Sequence, residues 1–256
     1  MLVFLVLALF PCAALADTVT QEDFAAMQSL PDLYRYYGPV LRTYSYRSSE
    51  SDSEVTQWLW YSKAKNGKPI FEFYDGLPVL AYDGFNYGYN EEGTLTAWFW
   101  LSGWEEAVES WSGPLLELPK EELLLVPEED GSFSMIAQVG NEQSGWDIYG
   151  SLDRWKHISS VISLHYEGET VVREVLTVSP MEKPLVTMDL EALTQGGTRQ
   201  VTCIRLDGTP LVLEIPQQLT LGWVENGNPR QVFLDPERTE AVTYIPAGAD
   251  PVIIFE

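Results

Sequence analysis

Apolar and polar residues alternate with a period of two through much of the chain, most clearly between Val55 and Leu101. Because residues two apart share one face of a strand, this stretch predicts four or five short strands. Aromatic residues recur at the same spacing, so the strands together predict a sheet with a broad aromatic surface. The aromatic sets are Trp58 and Trp60; Phe71 and Phe73; Phe85, Tyr87 and Tyr89; and Trp98 and Trp100.

Asp-Gly and Asn-Gly dipeptides separate many of the apolar runs. Both residues of such a pair adopt positive φ readily, which favours two-residue hairpin turns. Their distribution predicts an antiparallel meander, and the pattern lacks the strand–helix–strand alternation of a parallel sheet. The dipeptides begin at Asn66, Asp75, Asp83, Asp130, Asp207 and Asn226.

Helical periodicity predicts three short helices, over residues 21–30, between Ser102 and Gly113, and over residues 120–125. Pro31 is expected to interrupt the first helix, and Leu33, Tyr36 and Tyr37 then predict one more turn that ends at Gly38-Pro39. At the start of the second, Ser102 and Glu105 have the spacing of a capping box. Trp104, Ala107, Val108 and Trp111 share one face of the second helix, and the simplest packing lays that face on the aromatic sheet.

Residues 1–16 form an apolar run that ends in Ala14-Leu15-Ala16, a small-x-small pattern. We interpret them as a secretory signal peptide that is cleaved near Ala16, although the run carries no Lys or Arg. A lipoprotein anchored at Cys12 is the alternative, but the two residues before Cys12 are bulky or rigid where a lipobox needs small ones. No later stretch approaches about 18 apolar residues, so the mature chain has no predicted transmembrane segment.

The chain is strongly acidic, with 38 Asp and Glu residues against 15 Lys and Arg residues and a formal net charge of −23. This charge repels nucleic-acid phosphates and anionic lipid head groups, so no nucleic-acid partner is expected. Solubility outside the cell explains the charge, and weak association with divalent cations is the alternative. Without Cys12, Cys203 is the only cysteine, so the mature chain forms no internal disulfide.

The sequence contains no recognisable catalytic or cofactor motif. A nucleophile elbow and nucleotide-binding glycine patterns are absent, and the two histidines, His157 and His165, are too distant along a strand to share a metal. The acidic turns at residues 90–93 and 128–131 lack the ligand spacing of an EF-hand and are interpreted as solvated turns. We therefore expect no enzyme, no metal site and no cofactor; a glycoside hydrolase would need two carboxylates facing each other at about 5–10 Å.

Two hypotheses explain the aromatic strands. Either the second helix covers them as ordinary core, or the cover is incomplete and leaves a groove for an apolar ligand. A chain of about 16 methylenes gains up to ~13 kcal/mol on full burial, at ~0.8 kcal/mol each, whereas association costs about 4–15 kcal/mol. A useful groove must therefore bury most of such a chain. Flat, exposed Trp rows would instead suit a glycan or protein surface.

Three runs in this region resemble the LolA/LolB-like lipoprotein-carrier family: Lys68–Tyr74 (KPIFEFY), Pro78–Gly84 (PVLAYDG) and Tyr87–Asn90 (YGYN). With the elements on either side, the resemblance spans roughly residues 21–180. It implies a curved antiparallel half-barrel with a few helices packed on its concave face and a hydrophobic cavity between them. It also implies an extracytoplasmic protein that carries lipoproteins or senses lipid-like ligands.

We therefore predict a mainly β (α+β) protein with a signal peptide at residues 1–16, a LolA-like half-barrel at 17–180 and a β-rich C-terminal block at 184–256. The predicted function is secreted, non-catalytic binding of a lipid, lipoprotein or other apolar ligand. The alternative is an extracellular glycan- or protein-interaction module with no ligand cavity. The predicted ligand-binding residues are Trp58, Trp60, Phe71, Phe73, Tyr87, Trp98, Trp100, Trp104 and Trp111.

Overall fold

The computed structural model describes most of the chain after the predicted signal peptide. The described residues are 17–19, 29–51, 53–75, 77–89, 95–113, 123–141, 144–182, 196–205, 207–217, 219–235, 237, 239, 241–247 and 253–255. The predicted signal peptide, most of the first predicted helix, the acidic turn at 90–93 and the start of the predicted C-terminal block at 184–195 lie outside them.

Strands dominate the described residues, and two helices interrupt them. The helices are α1 (Leu30–Tyr37) and α2 (Trp104–Ser112). The strands are β1 (Asp17–Val19), β2 (Val40–Ser48), β3 (Glu54–Lys63), β4 (Pro69–Asp75), β5 (Leu77–Tyr82), β6 (Phe85–Tyr89), β7 (Leu95–Ser102), β8 (Leu123–Pro127), β9 (Phe133–Asn141), β10 (Ser144–Leu152), β11 (Ile158–Glu167), β12 (Thr170–Pro180), β13 (Thr198–Arg205), β14 (Pro210–Pro216), β15 (Thr220–Glu225), β16 (Asn228–Arg230), β17 (Val232–Phe233), β18 (Ala241–Val242) and β19 (Ile253–Phe255).

The chain forms two compact units. The first comprises Met1–Asp32, Tyr44–Val55 and Pro114–Val178. Its strands lie in the order β1-β8-β9-β10-β11-β12, followed by β2, and the registered neighbours from β1 to β12 are antiparallel. Alternate residues of these strands form the core of this unit, as the period of two predicts. Its most buried side chains include Leu125, Met135, Ala137, Ile148, Val161 and Leu176.

The second unit comprises Leu33–Thr43, Thr56–Gly113 and Ser179–Glu256. Its larger sheet has the strand order β2-β3-β4-β5-β6-β7-β15-β16, and its smaller sheet has the order β14-β13-β19-β17-β18. Among the described strands of this unit, β7 pairs in parallel with β15 and β13 pairs in parallel with β19, which the turn pattern does not indicate. Both pairs bring a C-terminal strand back to an earlier one.

The fold-class prediction is confirmed. The described residues are mainly β, the sheets are mostly antiparallel and open rather than closed into a barrel, and α2 packs on the larger sheet of the second unit. Strands also fill much of the predicted β-rich C-terminal block. The division into domains at residue 180 stays a prediction.

The helical turn that Leu33, Tyr36 and Tyr37 predict after Pro31 is confirmed as part of α1. The helix predicted before it, over residues 21–30, lies outside the described residues except at positions 29 and 30. Pro31 lies in the first turn of α1, where a backbone N–H has no intrahelical partner to lose. Gly38 ends α1 with φ of +73°, and its N–H donates to the Tyr34 carbonyl at 2.9 Å. This positive φ is the reason that glycine suits the position.

Two local predictions are wrong. Ser102 does not cap α2: it is the last residue of β7, and its hydroxyl donates to Asn226 Oδ1 at 3.2 Å, while Gly103 is the N-cap residue. The helix predicted at 120–125 is also not formed over its described part, because Leu123–Pro127 is a strand that pairs with β9. Pairing with neighbouring strands overrides a weak helical pattern there.

Two of the predicted hairpin turns have both residues of the dipeptide in the left-handed region. Asp83 and Gly84 connect β5 to β6 with φ of 49° and 83°, and Asn226 and Gly227 connect β15 to β16 with φ of 48° and 79°. Two consecutive positive φ angles are typical of the two-residue turn that matches strand twist.

The two sheets of the second unit share one hydrophobic core, so this unit is a two-layer sandwich. Strands β5, β6, β7 and β15 contribute from the larger sheet, and β13, β14 and β17 contribute from the smaller one. Trp223 is the largest fully buried side chain of the group. The buried members are Leu80, Tyr87, Ala97, Val201, Leu213, Ile215, Leu221, Trp223, Val232 and Ile245.

We predict that Trp223→Ala lowers the free energy of unfolding by about 3–5 kcal/mol, because it leaves a large cavity between the two sheets. Val212→Ala is the matched control: Val212 is 59% exposed on β14 of the same sandwich, and its truncation should change stability by at most ~0.5 kcal/mol. Urea denaturation followed by circular dichroism measures both. Equal, small effects would mean that the two sheets do not share a core.

Candidate functional site

The register of β3 to β7 distributes the predicted site residues over both faces of the sheet. Trp60 pairs with Glu72, which pairs with Leu80, which pairs with Tyr87. Directly paired residues point to the same side, so Trp58, Trp60 and Tyr87 share one side, called here the sandwich face. The same reasoning places Phe71, Phe73, Trp98 and Trp100 on the opposite side, called here the helix face.

The sandwich face is structural at the positions described. Tyr87 is 2% exposed within the core between the sheets, and burial raises its pKa. Trp60 is buried, and its Nε1 donates to the Met181 carbonyl at 2.9 Å. Trp58 stacks on Tyr74 with ring centroids 5.1 Å apart. These three predicted ligand-binding residues already have protein partners.

The helix face carries a connected cluster of aromatic rings, and α2 packs on it. Trp111 lies 4.8 Å from Phe73 and 5.3 Å from Phe71 between ring centroids. Trp100 and Trp104 are each within 6 Å of Trp111 and of one another, at 5.8–5.9 Å and near-perpendicular angles. Edge-to-face geometry of this kind is favourable for aromatic pairs. We call these five residues the aromatic cluster.

Trp98 lies on the helix face but outside the aromatic cluster. Its ring centroid is 5.0 Å from that of Tyr244, and it also packs on Gly222 of β15. A Cβ at Gly222 would lie 3.0 Å from Trp98 Cε3, so glycine leaves the space that the Trp98 ring needs. The structure therefore does not bring all nine predicted residues into one site.

An open groove runs beside the aromatic cluster, along the outer side of α2. Its volume is about 440 Å³, within the usual range for ligand pockets. Trp104, Val108 and Ser112 line it from one stripe of the helix, since residues four apart share a helix side. The remaining lining residues are Lys68 and Pro69 at the start of β4, Asp83 in the β5–β6 turn, and Glu105 and Glu109 of α2.

Apolar and charged groups occupy different parts of this groove. Pro69, Val108 and Trp104 are partly buried, whereas Glu105 and Glu109 are exposed. The Lys68 ammonium pairs with the Asp83 carboxylate, and that hydrogen bond raises the pKa of Lys68. Lys68 is thus fully protonated at neutral pH and its charge is already matched. The charges of Glu105 and Glu109 face solvent at the rim.

The sequence pattern predicts Trp104 as a site residue but not the rest of the groove. In the sequence, Lys68, Pro69 and Asp83 belong only to turns and to the runs of family resemblance, and Val108 belongs to a helix face. No local pattern marks the acidic residues of α2 as part of a site. Their common signal is position: two turns flank β4 and β5, next to a helix whose exposed side has no basic residue.

The two histidines lie in the first unit and have structural contacts. His157 is 3% exposed, with Nε2 3.5 Å from Asp32 Oδ2 and Nδ1 3.7 Å from Asp153 Oδ2. It precedes β11 rather than lying in it. His165 stacks on Trp146 with ring centroids 4.4 Å apart. Among the residues that the structure describes, no three His, Cys, Asp or Glu side chains cluster as a metal site would need.

Comparisons with known proteins are sparse. No protein-family model matches the chain, and no curated protein matches it. Among solved structures, the complex of Pseudomonas aeruginosa MucA and MucB is similar over 70% of this chain and 71% of the other, with 16% sequence identity and a TM-score of 0.29. This is a weak structural resemblance, and it does not establish a shared function. No helix within the described residues has the length and apolar character to cross a membrane.

Tyr61 lies next to the aromatic cluster. Its ring is 5.3 Å from that of Phe71, a member of the cluster, and 5.8 Å from that of Tyr34. Burial, with a smaller contribution from Tyr34, raises the pKa of Tyr61 to about 12. A pKa above its unfolded value of about 10 means that folding favours the neutral phenol. The stabilisation that the neutral phenol of Tyr61 contributes to the fold is complete below about pH 10 and is lost as the pH rises towards 12.

We therefore predict that the free energy of unfolding declines less between about pH 9.5 and 11.5 in Tyr61→Phe than in the wild type. Urea denaturation at a series of pH values measures the decline. Tyr36→Phe, which alters an exposed ring of α1, is the control and should keep the wild-type profile. A Tyr61→Phe profile identical to the wild type would show that Tyr61 ionises freely in the folded protein.

Proposed function

We propose that this chain is a non-catalytic, extracytoplasmic binding protein, and that its ligand places an apolar group in the groove beside α2. The observation that supports this is the open groove of about 440 Å³ next to the aromatic cluster, with Trp104, Val108 and Pro69 among its lining. The apolar start of the chain supports secretion. A lipid, a lipoprotein or another apolar molecule are the candidate ligands, in line with the LolA/LolB-like resemblance.

The open side of the groove limits what it binds. Burying only half of a chain of about 16 methylenes gains ~6 kcal/mol at ~0.8 kcal/mol each, which only meets the lower part of the about 4–15 kcal/mol cost of association. One side of the groove is open to water, so a long acyl chain is not fully buried there. The groove therefore suits a ligand that places one apolar group inside it and makes polar contacts at its rim.

The groove is rigid on the sheet side, which supports a preformed site. Trp104 is held by ring contacts to Trp100 and Trp111, and Trp111 is held by Phe71 and Phe73. A side chain that is already fixed loses little conformational entropy when a ligand binds. In this proposal Trp104 contacts the ligand, and the other members of the aromatic cluster position it.

The test is titration of the protein with Nile red, a neutral dye whose emission shifts to the blue in apolar surroundings. We predict saturable binding that Val108→Asn weakens about fivefold, because about 1 kcal/mol of apolar contact is lost. Val212→Asn is the matched control, since it makes the same change at an exposed valine outside the groove. Circular dichroism checks that both variants fold.

Trp58→Ala provides a second control, because Trp58 lies on the sandwich face and should leave dye binding unchanged. If Val108→Asn binds the dye as tightly as the wild type does, the groove is not the binding site. If the wild type does not bind the dye at all, the function as an apolar binding protein is contradicted.

A further inference from the structure

The charges around the groove are strongly one-sided. Its lining contains one base, Lys68, and three acids, Asp83, Glu105 and Glu109. Lys68 and Asp83 neutralise one another through their ion pair, which leaves the two glutamates uncompensated. Helix α2 has acidic residues in its first turn and no basic residue in its last. An apolar floor thus lies below an anionic rim.

This arrangement disfavours an anionic ligand. A fatty-acid carboxylate or a lipid phosphate at the rim would meet the carboxylates of Glu105 and Glu109. The whole chain adds to the repulsion with a net charge of −23. Positive charges are instead attracted over a distance and oriented on approach.

We propose that the occupant of the groove is a basic, apolar peptide segment of a partner protein: one apolar side chain enters the groove, and flanking Arg or Lys residues pair with Glu105 and Glu109. This rests on the proposed function and specifies its ligand. The charges favour a peptide over a lipid, because neighbouring residues of one peptide supply both the apolar side chain and the cations that Glu105 and Glu109 attract.

The tryptophan supports the same chemistry. Trp104 lines the groove at the first turn of α2, next to Glu105 in sequence. Because Trp104 and Glu105 both line the groove, an arginine that pairs with Glu105 is within reach of the indole of Trp104, where a cation is attracted to the ring face. Glu109 follows Glu105 by one helical turn, so the two carboxylates lie on the same side of α2 and offer two neighbouring partners.

The test compares three blocked pentapeptides that differ only at their ends: Arg-Leu-Phe-Leu-Arg, Gln-Leu-Phe-Leu-Gln and Glu-Leu-Phe-Leu-Glu. Calorimetric titration of the full chain measures their affinities. We expect the basic peptide to bind about tenfold more tightly than the neutral one at low salt, from two exposed ion pairs. The preference should shrink at about 0.5 M salt because of screening, and the acidic peptide should bind weakest.

Substitutions on α2 distinguish the effect of the groove carboxylates on peptide affinity from the effect of the overall net charge. The double variant Glu105→Gln/Glu109→Gln should remove most of the preference for the basic peptide while retaining binding of the neutral one. Glu106→Gln is the matched control, because it also replaces a glutamate of α2 by glutamine. Glu106 is exposed and does not line the groove. An equal loss in Glu106→Gln would overturn the inference, because the preference would then come from the general field.

Other outcomes separate this inference from the proposed function. Equal binding of the basic and neutral peptides overturns the basic partner but leaves an apolar binding site in place. Binding of phosphatidylcholine vesicles, with no preference among the peptides, overturns the peptide in favour of a lipid surface. Failure to bind Nile red and all three peptides contradicts both proposals together.

Discussion

Strands β4 to β7 must bury both of their faces, and the rest of the second unit follows from that constraint. Their side chains alternate, and large apolar residues occupy both sets of positions, with Leu80 and Tyr87 on one face and Phe71 and Trp100 on the other. A sheet of this composition needs a cover on each side. The smaller sheet covers the sandwich face, and α2 covers the helix face through Trp111.

The cover on the helix face is smaller than the one opposite, and this difference creates the groove. A nine-residue helix meets the sheet through one stripe of side chains, and Trp111 fills that contact. On the other side of Trp104, the turns at Lys68 and Asp83 stand apart from the helix and leave an open space. The aromatic residues under α2 thus act mainly as a support, and the open groove lies at their margin.

The sequence predicted the class of fold and several turns because these depend on local patterns. Alternation marked the strands, and the Asp83-Gly84 and Asn226-Gly227 pairs marked two of the hairpins. It did not separate Trp58 from Phe71, because the face of each strand depends on the register with its neighbours and on which layer covers it. The groove was missed for a related reason: Lys68, Asp83 and Glu105 are distant in sequence and meet only through tertiary packing. Local pattern also gave the wrong cap at Ser102, since Asn226 in the β15–β16 turn accepts the hydrogen bond of its hydroxyl.

The parallel pairing of β7 with β15 has a consequence for how the chain reaches this state. Thr96 pairs with Thr220, so the edge of β7 stays unpaired until nearly the whole polypeptide is available. Contacts between distant segments form slowly, and an uncovered strand edge recruits other chains. Until β15 docks, the emerging protein carries an adhesive edge next to an uncovered aromatic surface. Docking of β15 is therefore the folding step before which this protein is most prone to aggregate.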